Sequence, residues 1–286
     1  MGTLIRPVHI ADFDVIHRSL LTSLDPRIPR NRWRALFDWG WPNPEDHVGY
    51  GLFDEHDRPL GYIATIYSKQ NLRGEHHTVC NFSSWIVAEG HKSAGLSLIM
   101  PVLARRDLTI TNLTAIPSVV AMFRKLGFQT LETLVWVLGP GNLPMGIGSR
   151  GIKVRRVNSQ GDLPDSSGAH RIFLDHREIC QHWVLETGGD SCYVASTLGR
   201  RRRLRTLRIH HLSHPELFAA GATAFQRQGL ASCGAPFVEC DLRLLQGVDP
   251  GVGRSLPLLE PRLFRSTVAD PASISNLYSE LPLLRL

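Results

Sequence analysis

One stretch of the 286-residue chain combines residue types and spacing that could do chemistry: Trp85-Ile86-Val87-Ala88-Glu89-Gly90-His91-Lys92-Ser93-Ala94-Gly95-Leu96-Ser97-Leu98-Ile99. An apolar strand ends at Val87, small residues come next, and an apolar helix starts at once. Small residues let backbone N–H groups approach a ligand closely and point the same way. The start of a helix adds positive potential. Together they form a seat for a pyrophosphate, with Lys92 as a cation at its rim. An ordinary strand-to-helix turn is the competing reading of the same residues.

Other candidates are weaker. Glu89 sits beside the loop, where a solvated carboxylate is the commoner state. Ser83 and Ser84 alternate along a strand, so only one of them faces a cleft, and Asn81 shares the Ser83 face. His76 and His77 titrate near neutral pH, yet surface or core histidines are more frequent. The basic run at 200–203 could touch phosphate or an acidic lipid, but it also suits a solvated hairpin turn. Trp33, Trp39 and Trp41 suit either an acceptor wall or core packing. Ser213 reads as a helix cap, which removes it from a dyad with His211. Glu239 and Asp241 alternate on a strand without an evident partner.

These residues need a scaffold. The pattern predicts a strand over 3–7 and an amphipathic helix over 10–24, with Phe13, Ile16, Leu20 and Leu24 on one face and Asp12 as its cap. A second helix over 32–39 ends at Trp41-Pro42-Asn43-Pro44. Strands over 49–54 and 59–67 flank the turn Glu55-His56-Asp57-Arg58. A central strand over 77–87, a helix from the 90–95 segment to about 105, a strand over 109–113, a helix over 117–126 stopped by Gly127, and a strand over 128–138 complete the first half. This order predicts an α/β (α+β) class with a mixed sheet, not a doubly wound one. Residues 139–168 read as a glycine-rich linker bridged in part by a strand over 152–157. Beyond it the pattern predicts a strand over 170–174, a helix over 177–185, strands over 191–198 and 204–212, a helix over 215–228 and a strand over 237–242. No sequence repeat links the halves, so a duplicated fold is an expectation from this order alone.

The loop, together with the strand and helix after it, resembles the GNAT acyltransferases. Their cofactor loop reads V-x-x-x-x-(R/Q)-x-x-G-x-(G/A), and Val87, Lys92, Gly95 and Ser97 occupy those places. Family members then carry an Asn after the next strand and a Y-x-K-x-G-F ending; Asn112 and Phe123-Arg124-Lys125-Leu126-Gly127-Phe128 match in order and spacing. The hairpin with Gly61 suits the family's second and third strands. The resemblance covers about residues 3–138. Asn81-Phe82-Ser83-Ser84-Trp85 and Asn276-Leu277-Tyr278-Ser279-Glu280-Leu281 are further similar to a bacterial subset associated with surface polysaccharide production.

The resemblance implies a catalytic, acyl-CoA-binding domain at 1–140, a linker at 141–168 and a second, degenerate GNAT-like α/β domain at 169–286. That second domain would complete the acceptor cleft or form a homodimer surface. Acetyl-CoA or another acyl-CoA would be the cosubstrate, with no metal. Ile86 and Val87 would pair with its pantetheine arm, the amides of Lys92, Ser93, Ala94, Gly95, Leu96 and Ser97 would hold the pyrophosphate, and Asn112 and Phe123 would line the site. Ser84, Glu89 and Asn112 are the catalytic candidates. The implied reaction is acetyl transfer to a small-molecule or sugar amine by direct attack on the thioester; the alternative is a non-catalytic acyl-CoA-binding or regulatory module. Three departures bear on this: Phe123 stands where many members carry a proton-donating Tyr, Ser97 replaces Gly or Ala, and Lys92 replaces Arg.

Composition narrows the class. Hydrophobic residues at 43% and charged residues at 20% suit a globular chain. The net charge of +6 is modest and scattered, which suits an anionic nucleotide but does not call for nucleic acid. Five cysteines without CxxC spacing read as reduced, buried thiols in a cytoplasmic protein and argue against structural zinc. No apolar stretch reaches the ~20 residues of a membrane span, and the first residues lack a secretory core.

Overall fold

The computed structural model describes residues 2–72, 74–140, 151–164, 167–201 and 203–286. Contacts divide the chain into two units. The first comprises Met1–Leu131, Arg262–Ile274 and Tyr278–Leu284; the second comprises Glu132–Pro261, Ser275–Leu277 and Arg285–Leu286. The composition-based boundary at 141–168 divides the chain linearly, whereas contacts return 262–274 and 278–284 to the first unit. Part of that glycine-rich stretch, 141–150, lies outside the described residues.

In the first unit β1 (Thr3–Val8) pairs antiparallel with β2 (Gly49–Asp54), which pairs with β3 (Pro59–Leu72), which pairs with β4 (Glu75–Val87). Between β1 and β2 lie 3-10, α and π turns in succession: Ile10–Asp12, α1 (Phe13–Ile16), His17–Leu21 and α2 (Thr22–Leu24), then α3 (Arg30–Arg34). Asp12 does not cap α1 through its side chain; it pairs with Arg6 and accepts from the His9 amide at 2.9 Å. After β4 come α4 (Gly95–Leu103), β5 (Thr109–Asn112) and α5 (Pro117–Lys125). Gly127 adopts φ +85, the left-handed stop its position predicts, and Phe128 N donates back to Phe123 O at 3.0 Å. One core packs α4 and α5 against Cys80, Phe82, Ile110 and Tyr67 of the sheet.

In the second unit β6 (Gln129–Leu138) contributes its Val135–Leu138 end. Then come β7 (Lys153–Val157), α6 (Ser167–His176), β8 (Gln181–Thr187), β9 (Asp190–Arg201), β10 (Leu204–Leu212), α7 (Pro215–Cys233) and β11 (Phe237–Asp241). The helix and strand expected over 170–185 are exchanged. Ala169, Phe173 and His176 are buried at helical spacing, while His182, Trp183, Val184 and Leu185 are all buried and pair with strands on both sides. The strand β12 (Arg254–Arg265) was illegible in the sequence, because Pro257 and Pro261 interrupt it; its Leu263–Arg265 end pairs antiparallel with β5 in the first unit. The last helix is α8 (Glu280–Leu284).

Each unit uses the same plan. The first runs β1-β2-β3-β4-β5-β12 and the second β7-β8-β9-β10-β11-β6. In both, three antiparallel pairs precede one parallel pair and one more antiparallel pair. The duplication invisible in the residues is therefore present in the topology.

Candidate functional site

The chemistry-bearing loop hangs from β4, and β4 is irregular where it matters. Tyr62 faces Ile86 and Ala64 faces Ser83, so Ser84 and Trp85 together oppose Ile63. This is a β-bulge, and Ser84 sits in it at φ +52, a left-handed conformation rare for a residue with a side chain. The extra residue changes the parity of the strand. Cys80 and Phe82 belong to the core under α4 and α5, and beyond the bulge Trp85 and Val87 take over that face. Bulges also increase local twist and bend the strand. Correspondingly, β4 pairs with parallel β5 only at Val79–Thr109, Cys80–Ile110 and Asn81–Thr111. From Phe82 to Val87 its backbone has β3 on one side and, among the described residues, no strand on the other. A fork therefore opens between β4 and β5.

The loop leaves the fork through Ala88, whose amide donates to Leu60 O at 2.7 Å, and through Gly90 at φ +90. A 3-10 turn over Lys92–Ala94 leads into α4. The amides at Ala94 and Gly95 are used inside this turn, donating to His91 O at 2.9 Å and to Lys92 O. Lys92 and Ser93 head the turn, where helical amides lack internal partners. Of the six expected amides, those of Ala94 and Gly95 are therefore spent within the turn, and Lys92 and Ser93 stand at its head. Leu96 and Ser97 are exposed in the next turn. Gly95 faces the strand: a Cβ there would meet Val87 Cγ2 at 3.4 Å and Trp85 Cζ2 at 3.6 Å, ordinary contact, so only a side chain longer than alanine's would press on β4.

Phe123 differs from the expectation. It is fully buried, stacked on Phe128 with centroids 4.6 Å apart and on Trp85 at 5.9 Å. It supports Trp85, the half-buried floor of the fork, and does not itself line the opening. Asn112 ends β5, buried, with Oδ1 lacking any hydrogen-bond partner; Trp85 Nε1 is buried and equally unpartnered. Buried polar atoms are nearly always paired, so these two are among the exceptions, as are Trp33 Nε1 and His47 Nδ1. Ser84 Oγ lies 3.2 Å from Ser83 Oγ. Glu89 is exposed on the loop, apart from the bulge that holds Ser84.

One group escaped the sequence reading as a chemical candidate. Glu280 is fully buried and accepts from Asn81 Nδ2 and, at 2.6 Å, from Thr114 Oγ1. Asn81 is the last rung of the β4–β5 pairing, and its Oδ1 accepts from Thr111 Oγ1 at 2.9 Å. Burial pushes the Glu280 carboxyl above the usual range, against the pull of Thr114 and Asn81. A carboxylate with such a shift at the root of a fork is a functional candidate. Nothing local signals it, since 199 residues separate it from Asn81.

The remaining candidates have structural explanations. Arg201 and Arg208 share Glu239, at 2.9 Å for Arg201, so the basic hairpin is partly neutralised; residue 202 lies outside the described residues. Ser213 accepts from Tyr193 N at 2.9 Å, and it is His214 that caps α7, accepting from Leu217 N at 3.2 Å. The start of α7 differs from that of α4 accordingly. Between β10 and α7 stand only Ser213 and His214, the first helical residue is Pro215, which has no N–H, and the Leu217 amide is taken. A cavity of about 420 Å³ within the second unit is lined by Arg156, Arg177 and His182 among others, and by no residue of the expected site.

No family model matches the sequence, and no curated protein is similar to it at the sequence level. Solved structures are similar in fold. A GCN5-related N-acetyltransferase from Kribbella flavida superposes with a TM-score of 0.61 at 15% identity, over 93% of this chain and 71% of that one. One from Anabaena variabilis gives 0.55 at 10% identity, over 92% and 72%. The bulged fourth strand, the fork and the loop-to-helix turn thus belong to a chain with the fold of the GCN5-related N-acetyltransferases.

Proposed function

We infer that the protein is an acyl-CoA-dependent N-acyltransferase acting on an amine of small-molecule or sugar type. The observation that carries this reading is the fork: a bulged β4 whose edge beyond Asn81 has no partner strand among the described residues, ending at a helix start headed by Lys92 and Ser93. An extended arm satisfies the free edge as an added strand would, and the helix start receives the diphosphate. The coenzyme would bring the acyl thioester; the chain's part is to orient it, to exclude water with Trp85, and to hold the acceptor.

Burial of Phe123 favours a second reading, since that position offers no proton and no access to the fork. In it the protein binds acyl-CoA without transfer. One experiment separates the two: release of free thiol from acetyl-CoA, measured across a panel of primary amines. Amine-dependent release supports the transferase. Saturable binding without release supports the module. Gly95→Leu, which forces α4 away from Val87 and Trp85, should abolish binding in either case.

A further inference from the structure

The face of the first unit's sheet opposite its apolar core carries several buried polar side chains beside Ile66 and Val79. Ser68, Gln70, Asn81, Ser83 and Thr111 are all buried there, and Glu280 is the one carboxyl among them. A buried carboxylate without a full counter-charge is costly and persists where something repays it. Its hydrogen-bond donors are neutral: Asn81, Thr114 and its own backbone. The charged group facing it is Arg262, whose Nη1 is engaged with Leu113 O at 3.1 Å. Thr114 is itself exposed, so one hydroxyl links the carboxyl to solvent. Two residues before Glu280, Tyr278 meets Trp41 edge-on at 5.2 Å, and Trp41 stacks on half-buried Trp39 at 5.8 Å. Aromatic faces attract cations and organic rings.

Given the acyltransferase reading, on which this inference rests, we propose that Glu280 receives the acceptor's ammonium group at the root of the fork and takes its proton. The acceptor class is then a primary amine arriving as a cation over half-buried Trp39, the accessible ring of a series whose Trp41 and Tyr278 are buried. In the step an N–H bond breaks, its electron pair stays on nitrogen, an O–H bond forms on the Glu280 carboxylate, and Thr114 passes the proton to solvent. The raised position of the carboxyl narrows the gap to the ammonium and makes it a better base than an exposed Glu.

The difference infrared spectrum between wild type and Glu280→Gln isolates this carboxyl without any turnover. Methylammonium chloride should shift its carboxylate band, and tetramethylammonium chloride, which has no N–H, should not. In the amine panel Glu280→Gln should lower kcat/KM ~100-fold or more and remove its acid limb, with acetyl-CoA affinity unchanged within about twofold. Thr114→Val, which removes the hydroxyl that donates to Glu280 at 2.6 Å, should lower kcat by a smaller factor. An unshifted band with methylammonium, or a Glu280→Gln enzyme with unaltered kcat/KM and acid limb, overturns the proposal. Failure of both proteins to bind acetyl-CoA defeats the acyltransferase reading instead, and leaves the ammonium site to the infrared result.

Discussion

Replacing Ser84 tests the bulge that opens the fork. At φ +52 a residue with a Cβ carries ~1–2 kcal/mol of strain. Ser84→Gly removes that strain but frees the unfolded chain by ~0.4–1 kcal/mol and loses the 3.2 Å hydroxyl contact with Ser83, worth ~0.5–1 kcal/mol when half-buried. The sum lies within about 1 kcal/mol of zero. Ser84→Ala keeps the strain and loses the contact, costing ~1 kcal/mol. Ser84→Val adds a β-branch that the left-handed region does not accommodate, for a total of ~2–3 kcal/mol. The expected order of stability is therefore Gly, Ala, Val. In a regular strand the order is the reverse, with Val favoured over Gly by ~1 kcal/mol. Urea unfolding of the three variants, compared by midpoint at constant slope, reads this directly. A Val variant as stable as the Gly variant would mean that Ser84 is extended, and the reasoning from bulge to fork would fail.

Two further outcomes are expected. Phe123→Ala should cost ~3–5 kcal/mol, because it empties the stack between Trp85 and Phe128; Phe123→Tyr should destabilise by ~1–3 kcal/mol without raising turnover, since no opening reaches the ring, and an accelerated Tyr variant would contradict its placement. The second unit should be acid-sensitive. Burial holds His176 and His182 at about 4, below the ordinary 6.5, so the unfolded chain takes up protons first as pH falls; stability is full above 6.5, declines toward 4, and should be lower by roughly 2 kcal/mol per group at pH 5. Urea midpoints at pH 7 and pH 5 for wild type and His176→Gln check this, with a smaller decline expected in the variant and an equal one contradicting the assignment.

What could be read from the residues was local. The β2–β3 hairpin announces itself by a polar turn, the loop by small residues after an apolar strand, and α5 by Pro117 at its start and Gly127 at its stop. What could not be read depends on distant partners. Ser84 looks like any strand serine until Ile63 is placed against it. Phe123 looks like a site residue until Trp85 and Phe128 close over it. Residues 167–187 carry apolar side chains at spacings that suit helix and strand alike, and neighbouring strands decide between them. Glu280 gains meaning only when Tyr278–Leu284 folds back onto Asn81.

Amide hydrogen exchange read out by mass spectrometry, with and without acetyl-CoA, goes most directly to the central claim. Binding at the fork predicts new protection in peptides spanning 82–87 and 91–97, the free edge of β4 and the first turns leading into α4, with none around β10 and the start of α7. Unchanged exchange at 82–87 under saturating acetyl-CoA, or protection confined to the second unit, would contradict it.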